Sequence, residues 1–312
     1  MHMFKKILAM MLCLVMLGAF VACNDAPPAV PSIPEETTKG GGVGVTPGSG
    51  TTTPAPESGD APGWIKVATY NIQHGQDDSA TSTAKKYNLD NMVNVIKENN
   101  IDICGFNEIE RFATRSGKVD QPKYIAEKLT QETGEQYYYA FAAGITGYNG
   151  KEAEGGNAIV SRYRIVGTPR TVEIALPENE AEALGSIYER RVLLIVQVEV
   201  DGKLLTVIST HFGLSSKEQE KAVDIVENEL TSLRNNPVVI MGDFNCTPTK
   251  NPITRLKTKM KNTSPGNKVT CPKNNNEIDY IFTSKNMEHM DFQVLQYPYS
   301  DHLPVTVKIR LR

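Results

Sequence analysis

The amino-acid sequence predicts an α+β domain in which two mixed β-sheets pack face to face, with helices covering the outside. Strand-like and helix-like hydrophobic patterns alternate from Trp64 to the C-terminus, over about 250 residues, which is enough for one domain with a large core. The chain has too many hairpin-like connections for a purely parallel sheet and too many amphipathic helices for a plain sandwich. Two stacked sheets with flanking helices satisfy both observations.

The first four elements of this domain alternate between strand and helix. In 64–72 (WIKVATYNI) the odd-numbered residues share one face of a strand, because side chains alternate along a strand. Apolar residues recur at helical spacing in 88–100, and 101–109 (IDICGFNEI) is the next buried strand. A second helix pattern follows in 122–133.

The second half of the domain contains one long helix among several strands. RVLLIVQVEV and KLLTVISTHF are joined by Asp201-Gly202, a dipeptide that strongly favours a tight hairpin turn. Residues 215–235 carry apolar side chains along one side of a helix. The other strands are predicted at YYYAFAA, GNAIVSRYRI, PVVIMGDF, EIDYIFTS (277–284), DFQVLQY and LPVTVKIRL.

A signal segment opens the chain. Two lysines precede an apolar run from Ile7 to Val21, which is short for a membrane span and typical of a secretory signal. The run ends in Phe-Val-Ala-Cys and resembles the lipobox of bacterial lipoproteins, so 1–23 is predicted to be a lipoprotein signal with Cys23 lipidated. An ordinary secretory signal cleaved near Ala22 is the alternative. The protein is expected to be extracytoplasmic, as a membrane-anchored lipoprotein of the cell envelope or surface.

Residues 24–63 are rich in Pro, Gly, Thr and Ser and show no apolar periodicity. Such a segment cannot bury enough surface to offset the entropy lost on ordering. It is predicted to be a disordered tether that holds the following domain, 64–312, away from a membrane. That domain is expected to be monomeric.

Charge and cysteine content restrict the class of protein. The net charge is −3 for the chain and about −1 for 64–312, after removing +2 in the leader and −4 in the tether. The basic face with which proteins usually bind long nucleic acid is therefore not evident, and nucleic acid is a less favoured partner.

Three scattered cysteines in the domain make neither a disulfide scaffold nor a zinc site of closely paired ligands. A Cys246–Cys271 bridge is left open, and Cys104 is interpreted as a small core residue.

Polar residues stand at the ends of the predicted strands. In VVIMGDFNCTP (238–248), Asp243 and Asn245 are two apart and would project together from the end of a buried strand. A turn would explain this pair alone, but the pattern recurs elsewhere. The other strand-end candidates are Asn71 in TYNIQHG, Glu108 in GFNEIE, His211 in VISTHFG, Asp279 in EIDYIF, and Asp301 with His302 in SDHLPV.

These side chains indicate a metal site for phosphoryl chemistry. Carboxylates and amides without clustered Cys or His favour Mg²⁺, with Mn²⁺ as a substitute. Such an ion keeps several waters and binds phosphate, while the histidines can supply a base and neutralise a developing oxyanion. A phosphoester is the expected substrate.

The motifs TYNIQHG, NEIE, GNAIVSR, THFGLS, MGDFNCTP, IDYIF and SDHLPV occur in the order found in the endonuclease/exonuclease/phosphatase superfamily. This superfamily includes deoxyribonuclease I-like nucleases, abasic-site endonucleases, bacterial sphingomyelinases and inositol polyphosphate 5-phosphatases. The resemblance covers essentially all of 64–312, and the GDFN and SDH blocks are its most specific parts. It implies a four-layer αββα sandwich, the DNase I-like fold, with the site at one end of the two sheets.

The resemblance also implies which residues hold the metal. Glu108 would bind Mg²⁺, and Asn71 would lie in or next to the metal shell. Asp301 would belong to the shell or assist the leaving group.

The same resemblance implies the catalytic roles. Asp243 would orient or deprotonate the attacking water, and Asn245 would hold the phosphate. Asp279 would orient His302, which would contact the scissile phosphate and could act as general base. His211 would bind a phosphate oxygen or serve as acid.

Five further positions complete the candidate site. Many members carry Gln before the metal-binding Glu, whereas this sequence has Asn107, which by strand parity would face away and have little catalytic effect. His74 could line the mouth of the cleft. Glu189, Arg190 and Asn157 are further candidates for substrate contact. For Glu189 and Arg190 the alternative is a solvated strand entrance. Asn157 ends the glycine-rich stretch 147–157, which is predicted to be a mobile loop near the site.

Three functions fit these observations. The preferred one is hydrolysis of a phosphodiester, in a phospholipid head group or a small extracellular phosphoester, by a metal-dependent enzyme. A secreted DNase I-like nuclease is the first alternative and should show a steep salt dependence. A non-catalytic binding domain on the same fold is the second, but such a protein would lose one or more of the acids, and here every expected position is filled.

Overall fold

The computed structural model describes residues 63–77, 86–185, 188–233 and 236–311. The predicted signal, Cys23 and the tether up to residue 62 lie outside this part of the chain. Within the described ranges, no helix is long and apolar enough to cross a membrane.

The described residues form twelve strands and five α-helices. The strands are β1 (Trp64–Asn71), β2 (Ile103–Arg111), β3 (Tyr138–Thr146), β4 (Glu154–Ser161), β5 (Ile165–Ile174), β6 (Arg191–Val200), β7 (Lys203–His211), β8 (Val238–Asp243), β9 (Lys261–Asn262), β10 (Asp279–Thr283), β11 (Glu288–Val294) and β12 (Val305–Arg310). The helices are α1 (Asp90–Glu98), α2 (Gln121–Thr133), α3 (Glu178–Leu184), α4 (Ser216–Ser232) and α5 (Asn251–Lys259).

The strands form two sheets of six. The first has the order β11-β12-β1-β2-β4-β3, and the second has the order β5-β6-β7-β8-β10-β9. Each sheet is mixed: β1 and β2 are parallel in the first, β7 and β8 are parallel in the second, and the other neighbours are antiparallel. The prediction of two mixed sheets is confirmed.

Three apolar layers hold the two sheets and the helices together. The inner faces of the sheets meet in a core that includes Val67, Val207 and Met241. Helices α1 and α2 cover the first sheet, and α4 and α5 cover the second, each through its own buried cluster. The result is the predicted αββα sandwich, in which each fully buried aliphatic side chain contributes about 1.5–3 kcal/mol.

Local sequence signals explain two of the elements. Helix α4 begins with a capping box, in which the Ser215 hydroxyl accepts from the Glu218 amide and the Glu218 carboxylate accepts from the Ser215 amide. The β6–β7 hairpin turns at Asp201 and Gly202, whose φ angles of 50° and 74° are those of the tight turn predicted for Asp-Gly.

Some boundaries differ from the prediction. GNAIVSRYRI is not one strand but spans the end of β4 and the start of β5. The stretch 147–157 is not all loop, because β4 begins at Glu154. Helices α3 and α5 were not predicted. The Cys246–Cys271 bridge does not form, since all three described cysteines are buried and free.

Sheet topology brings the polar strand ends to one edge. The parallel pair β7–β8 places His211 beside Asp243, and the antiparallel strand β10 begins opposite Asp243 at Asp279. In the other sheet, the parallel pair β1–β2 places Asn71 beside Asn107. Both sheets therefore present their polar ends to the same edge of the sandwich.

Candidate active site

One cavity of about 790 Å³ opens at this edge of the two sheets. Two predicted site residues, Asn71 and Asp279, are fully buried behind its wall and hydrogen-bond to residues that line it. The other predicted site residues of the described chain all line the cavity: His74, Glu108, Asn157, Glu189, Arg190, His211, Asp243, Asn245, Asp301 and His302.

Glu108 reaches the cavity through a bulge in β2. The register of β2 with β4 shifts between Asn107 and Ile109, and Glu108 has a left-handed φ of 52°. Its Oε1 accepts a 3.0 Å hydrogen bond from Asn71 Nδ2, and its Oε2 lies 3.6 Å from His74 Nε2. The Glu108 side chain is 30% exposed, so its carboxylate remains accessible from the cavity.

Asn107 has a structural role that strand parity did not predict. Its Nδ2 donates to Asn157 Oδ1 at 2.8 Å and to the Thr210 carbonyl at 2.9 Å. Its Oδ1 accepts from the Asp243 amide at 2.9 Å. Asn107 is buried and ties the end of β2 to the ends of β7 and β8, so it fixes the backbone that carries Asp243.

Replacing Asn107 with leucine is expected to lower the free energy of unfolding by about 1–3 kcal/mol, because it leaves buried polar groups without partners. Turnover should fall as well, since the Asp243 backbone loses its anchor. Urea unfolding measures the first effect. The exposed Asn228→Leu is the control, which should change stability by no more than about 0.5 kcal/mol. Equal stability of the Asn107 variant and wild type would contradict the role.

Asp243 lies at the centre of the site. Gly242 brings β8 close to β7, because a Cβ there would lie 1.8 Å from the Thr210 carbonyl oxygen. Asp243 Oδ1 accepts from the Asn245 amide at 2.8 Å, and Oδ2 accepts from Asn71 Nδ2 at 3.1 Å. Burial and the charge of Asp279 raise the pKa of Asp243 to about 7. The carboxylate is therefore poised to take up a proton near neutral pH.

His302 is held by a hydrogen-bonded chain. Its Nδ1 lies 2.9 Å from Asp279 Oδ2, and Thr270 Oγ1 donates to the same oxygen at 2.6 Å. Burial alone would lower the pKa of His302, but the Asp279 carboxylate outweighs burial and raises the pKa to about 12. The Nε2 atom faces the cavity side, 3.7 Å from Asp243 Oδ2. Thr270 gives no local sequence signal, because it lies in the irregular segment before β10 and its partner Asp279 is nine residues away.

His211 is fixed as a neutral ring by a residue that the sequence did not single out. Arg191 Nη1 lies 3.2 Å from His211 Nδ1, and Asn245 Nδ2 lies 3.1 Å from His211 Nε2. Burial and the charge of Arg191 hold the pKa of His211 well below its usual range. His211 Nε2 also lies 3.4 Å from Asp243 Oδ2, so the ring stands between Arg191 and the Asp243 carboxylate.

Glu189 and Arg190, the two candidates for substrate contact, come directly before β6, which begins at Arg191. Glu189 forms a 2.9 Å ion pair with Arg191, and Arg190 is exposed where it lines the cavity. Sequence alone could not separate Arg190 from Arg191, since only the register of β6 shows which one turns towards His211. Asn157 is engaged within the protein through Asn107 and through a 2.8 Å hydrogen bond from its Nδ2 to the Val192 carbonyl.

A second polar cluster forms one wall of the cavity. The buried Glu110 carboxylate pairs with Arg115 and Tyr148 and accepts from Ser116 Oγ at 2.7 Å. Burial would raise the pKa of Glu110, but the hydrogen bonds from Arg115 and its neighbours lower it. His74 lies between the two acids, with Nδ1 3.6 Å from Glu110 Oε1. This cluster anchors Tyr148, and with it the loop before β4, beside the metal candidate Glu108.

The oxygen ligands at the cavity suit a hard divalent cation. Glu108 and Asp301 both present carboxylates to the cavity, and Mg²⁺ is usually held by one or two carboxylates together with substrate phosphate. Asn71 turns its Nδ2, rather than its carbonyl oxygen, towards Glu108, so it supports that carboxylate from the adjacent position. Asp243, Asp279 and His302 form a further buried group with ligand atoms within 4.8 Å of one another. The residues present fit a divalent metal.

A model of the Endonuclease/Exonuclease/phosphatase family matches residues 68–302. The chain belongs to this family, whose members are hydrolases of phosphoesters that typically depend on a divalent metal. Comparison with curated proteins gave no match.

Solved structures share the fold. An endonuclease/exonuclease/phosphatase protein from Beutenbergia cavernae is 24% identical over 80% of this chain and 72% of its own, with a TM-score of 0.67. A mannosyl-6-phosphatase of Bacteroides thetaiotaomicron is 17% identical, over 79% of this chain and 100% of its own, with a TM-score of 0.59. ANGEL2, a 2′,3′-cyclic phosphatase, is 14% identical, over 80% of this chain and 95% of its own, with a TM-score of 0.58.

Proposed function

We propose that the chain is a Mg²⁺-dependent phosphoesterase that hydrolyses a small phosphoester, with a phosphodiester such as a phospholipid head group as the favoured substrate. One observation carries this proposal. The hydrogen-bonded chain from Asp279 through His302 reaches to within 3.7 Å of Asp243, in the same cavity as the carboxylates of Glu108 and Asp301. Proton-transfer groups and oxygen ligands for a metal thus share one small volume.

The side chains divide the chemistry between them. Mg²⁺, when bound by Glu108 and Asp301, would supply positive charge to the phosphate oxygens. Asp243 would orient the attacking water and accept its proton, since its carboxylate is poised to take up a proton near neutral pH. His302, held by Asp279, would neutralise charge that develops on the phosphate.

Neutral His211 and Asn245 would bind the phosphate. Arg191 holds the neutral His211 ring beside Asp243 and Asn245, where the ring would meet a phosphate oxygen. Asn245 Nδ2 lies 3.1 Å from His211 Nε2, so the two side chains would bind the phosphate at adjacent positions. Donors fixed in this way need little reorganisation during the reaction.

The cavity favours a small substrate over a long nucleic acid. Its volume of about 790 Å³ is that of a small-molecule site. One wall of the cavity consists of Glu110, Arg115 and Tyr148, whose side chains hold one another in place. The printed names of two structures with this fold, a mannosyl-6-phosphatase and a 2′,3′-cyclic phosphatase, support a small phosphoester.

Removal of divalent metal is expected to abolish hydrolysis, because the phosphate would lose its main source of positive charge. The experiment is a panel of small phosphodiesters, phosphomonoesters, phospholipids, DNA and RNA, each assayed with Mg²⁺, with Mn²⁺ and with excess chelator. Full activity in excess chelator would contradict the metal requirement. Hydrolysis of DNA or RNA that falls steeply with salt would favour the nuclease instead, and no hydrolysis of any substrate would favour a binding domain.

We further propose that the enzyme is held outside the cytoplasm by a lipid on Cys23 and the tether that follows. Support comes from the apolar run and the Phe-Val-Ala-Cys sequence. In a bacterial host, labelled fatty acid is expected to enter the wild-type chain and to be lost in Cys23→Ala. Cys13→Ala is the matched control. Equal labelling of Cys23→Ala and wild type would exclude the anchor.

A further inference from the structure

A strained turn follows β1 and brings a histidine to the cavity. Gln73, His74 and Gly75 have φ angles of 45°, 64° and 77°, all in the left-handed region. A side chain makes this region unfavourable, because the Cβ atom comes too close to the following carbonyl oxygen, and single residues usually occupy it. Two successive non-glycine residues therefore need support from the surrounding structure, and strain of this kind is concentrated at functional sites.

Hydrogen bonds from two sides hold the turn. The Gln73 amide donates to Asn71 Oδ1 at 3.1 Å. From α2, the fully buried Gln121 donates through Nε2 to the His74 carbonyl at 2.7 Å. Gln121 also accepts at Oε1 from the Glu110 amide at 2.8 Å. One buried side chain thus ties the strained turn to β2, so the position of His74 is fixed relative to the acids of that strand.

The turn places the His74 ring between two carboxylates. Nε2 lies 3.6 Å from Glu108 Oε2, and Nδ1 lies 3.6 Å from Glu110 Oε1. Glu108 is the metal candidate, whereas Glu110 is already paired with Arg115, whose Nε donates to Glu110 Oε1 at 2.8 Å. The ring therefore lies between a carboxylate that has to remain available to a cation and an ion pair that contains a guanidinium.

Arg115 would be a competitor for Glu108 if it could reach that side chain. Both residues line the same cavity. Arg115 directs Nε and Nη2 to a single oxygen of Glu110, and a guanidinium has five N–H donors in all, so Arg115 could engage a second carboxylate. An ion pair between Arg115 and Glu108 would neutralise the charge that attracts a divalent cation.

We propose that His74 is a positioning residue, whose ring keeps the Glu108 carboxylate directed into the cavity and prevents it from pairing with the Arg115 guanidinium. Without the ring, Glu108 would turn towards Arg115 and the affinity for the metal would fall. Residues that contact metal ligands commonly influence affinity in this way. The effect on the metal rests on the proposed function, whereas the separation of Glu108 from Arg115 does not.

The separation is tested without metal, by a double-mutant cycle on the full chain. Urea unfolding in excess chelator is measured for Glu108→Gln, Arg115→Gln and the double variant, in the wild-type chain and again with His74→Asn. Asparagine tolerates the left-handed backbone as histidine does, so the turn is kept and the ring is lost. The two substitutions should be additive to within about twofold in the wild-type chain. With His74→Asn, their coupling should change the unfolding equilibrium constant by about fivefold or more, because the two side chains then meet.

The effect on the metal is tested by binding of Mn²⁺, followed by electron paramagnetic resonance of the free ion, and needs no variant at position 115. His74→Asn should weaken Mn²⁺ binding by at least about tenfold, the loss typical of removing a partner of a metal ligand. His289→Asn is the matched control and should bind Mn²⁺ as the wild type does, because His289 lies on β11 and does not line the cavity.

Two results would each overturn the positioning role. One is the same coupling between Glu108 and Arg115 in both backgrounds. The other is a His74→Asn protein that binds Mn²⁺ as tightly as His289→Asn does. If the wild-type chain binds no Mn²⁺ but the coupling appears on loss of the ring, the separation is confirmed and the metal requirement of the proposed function is rejected.

Discussion

Replacing Asp243 with asparagine is expected to slow hydrolysis by about 10²-fold or more, the loss typical of removing a catalytic acid or base. Asparagine has nearly the same size and keeps a carbonyl oxygen for the hydrogen bond from the Asn245 amide. It cannot take up a proton near neutral pH as the Asp243 carboxylate can. Turnover of the best substrate from the panel at saturating Mg²⁺ measures the effect.

The control for this variant is Asp224→Asn, which removes an exposed carboxylate on α4 that pairs with Arg255. It should retain wild-type turnover, because exposed ion pairs have only small effects. Circular dichroism shows whether both variants remain folded. A folded Asp243→Asn protein with near wild-type turnover would remove Asp243 from the mechanism.

Replacing Glu108 with glutamine is expected to raise the Mg²⁺ concentration needed for half-maximal activity by at least about tenfold. It should also lower turnover by about 10²-fold at the concentration that saturates wild type. The amide keeps the shape of the side chain, but it lacks the negative charge that attracts the cation. A Mg²⁺ titration of activity separates the two effects, since only the metal requirement is restored by more Mg²⁺.

Glu173→Gln provides the comparison, because Glu173 is an exposed acid on β5. Its Mg²⁺ titration should overlay that of wild type. If Glu108→Gln gives the same titration as Glu173→Gln, then Glu108 does not hold the metal, and the carboxylates of Asp301 and Asp243 would have to be tested next.

Much of the fold follows from local patterns in the sequence. The β6–β7 hairpin and helix α4 were predicted because a turn dipeptide and an amphipathic stripe specify each of them over a few residues. Polar residues after apolar runs also marked the edge where the site forms. Parallel pairing places residues such as His211 and Asp243 side by side, so strand ends predicted separately come together.

The features of the site that could not be predicted from the sequence depend on irregular backbone and on contacts between residues that are far apart in the chain. The bulge at Glu108 breaks strict alternation, so parity could not predict that Asn107 would hold the Asp243 backbone. Arg191 on β6 acts through His211 on β7, and Thr270, in the segment before β10, acts through Asp279. Cys271 was considered only as a partner for Cys246, because its neighbours in the cavity lie far away in sequence.

Asn71, on β1, donates to Glu108 on β2 of the same sheet and to Asp243 on β8 of the other sheet. The metal candidate Glu108 is on the first sheet, whereas Asp243 and Asp279 are on the second. The proposed catalysis would therefore depend on the interface between the sheets, and hydrolysis would report on their docking more directly than secondary structure does. A partly loosened form could keep all of its strands and helices and still be inactive.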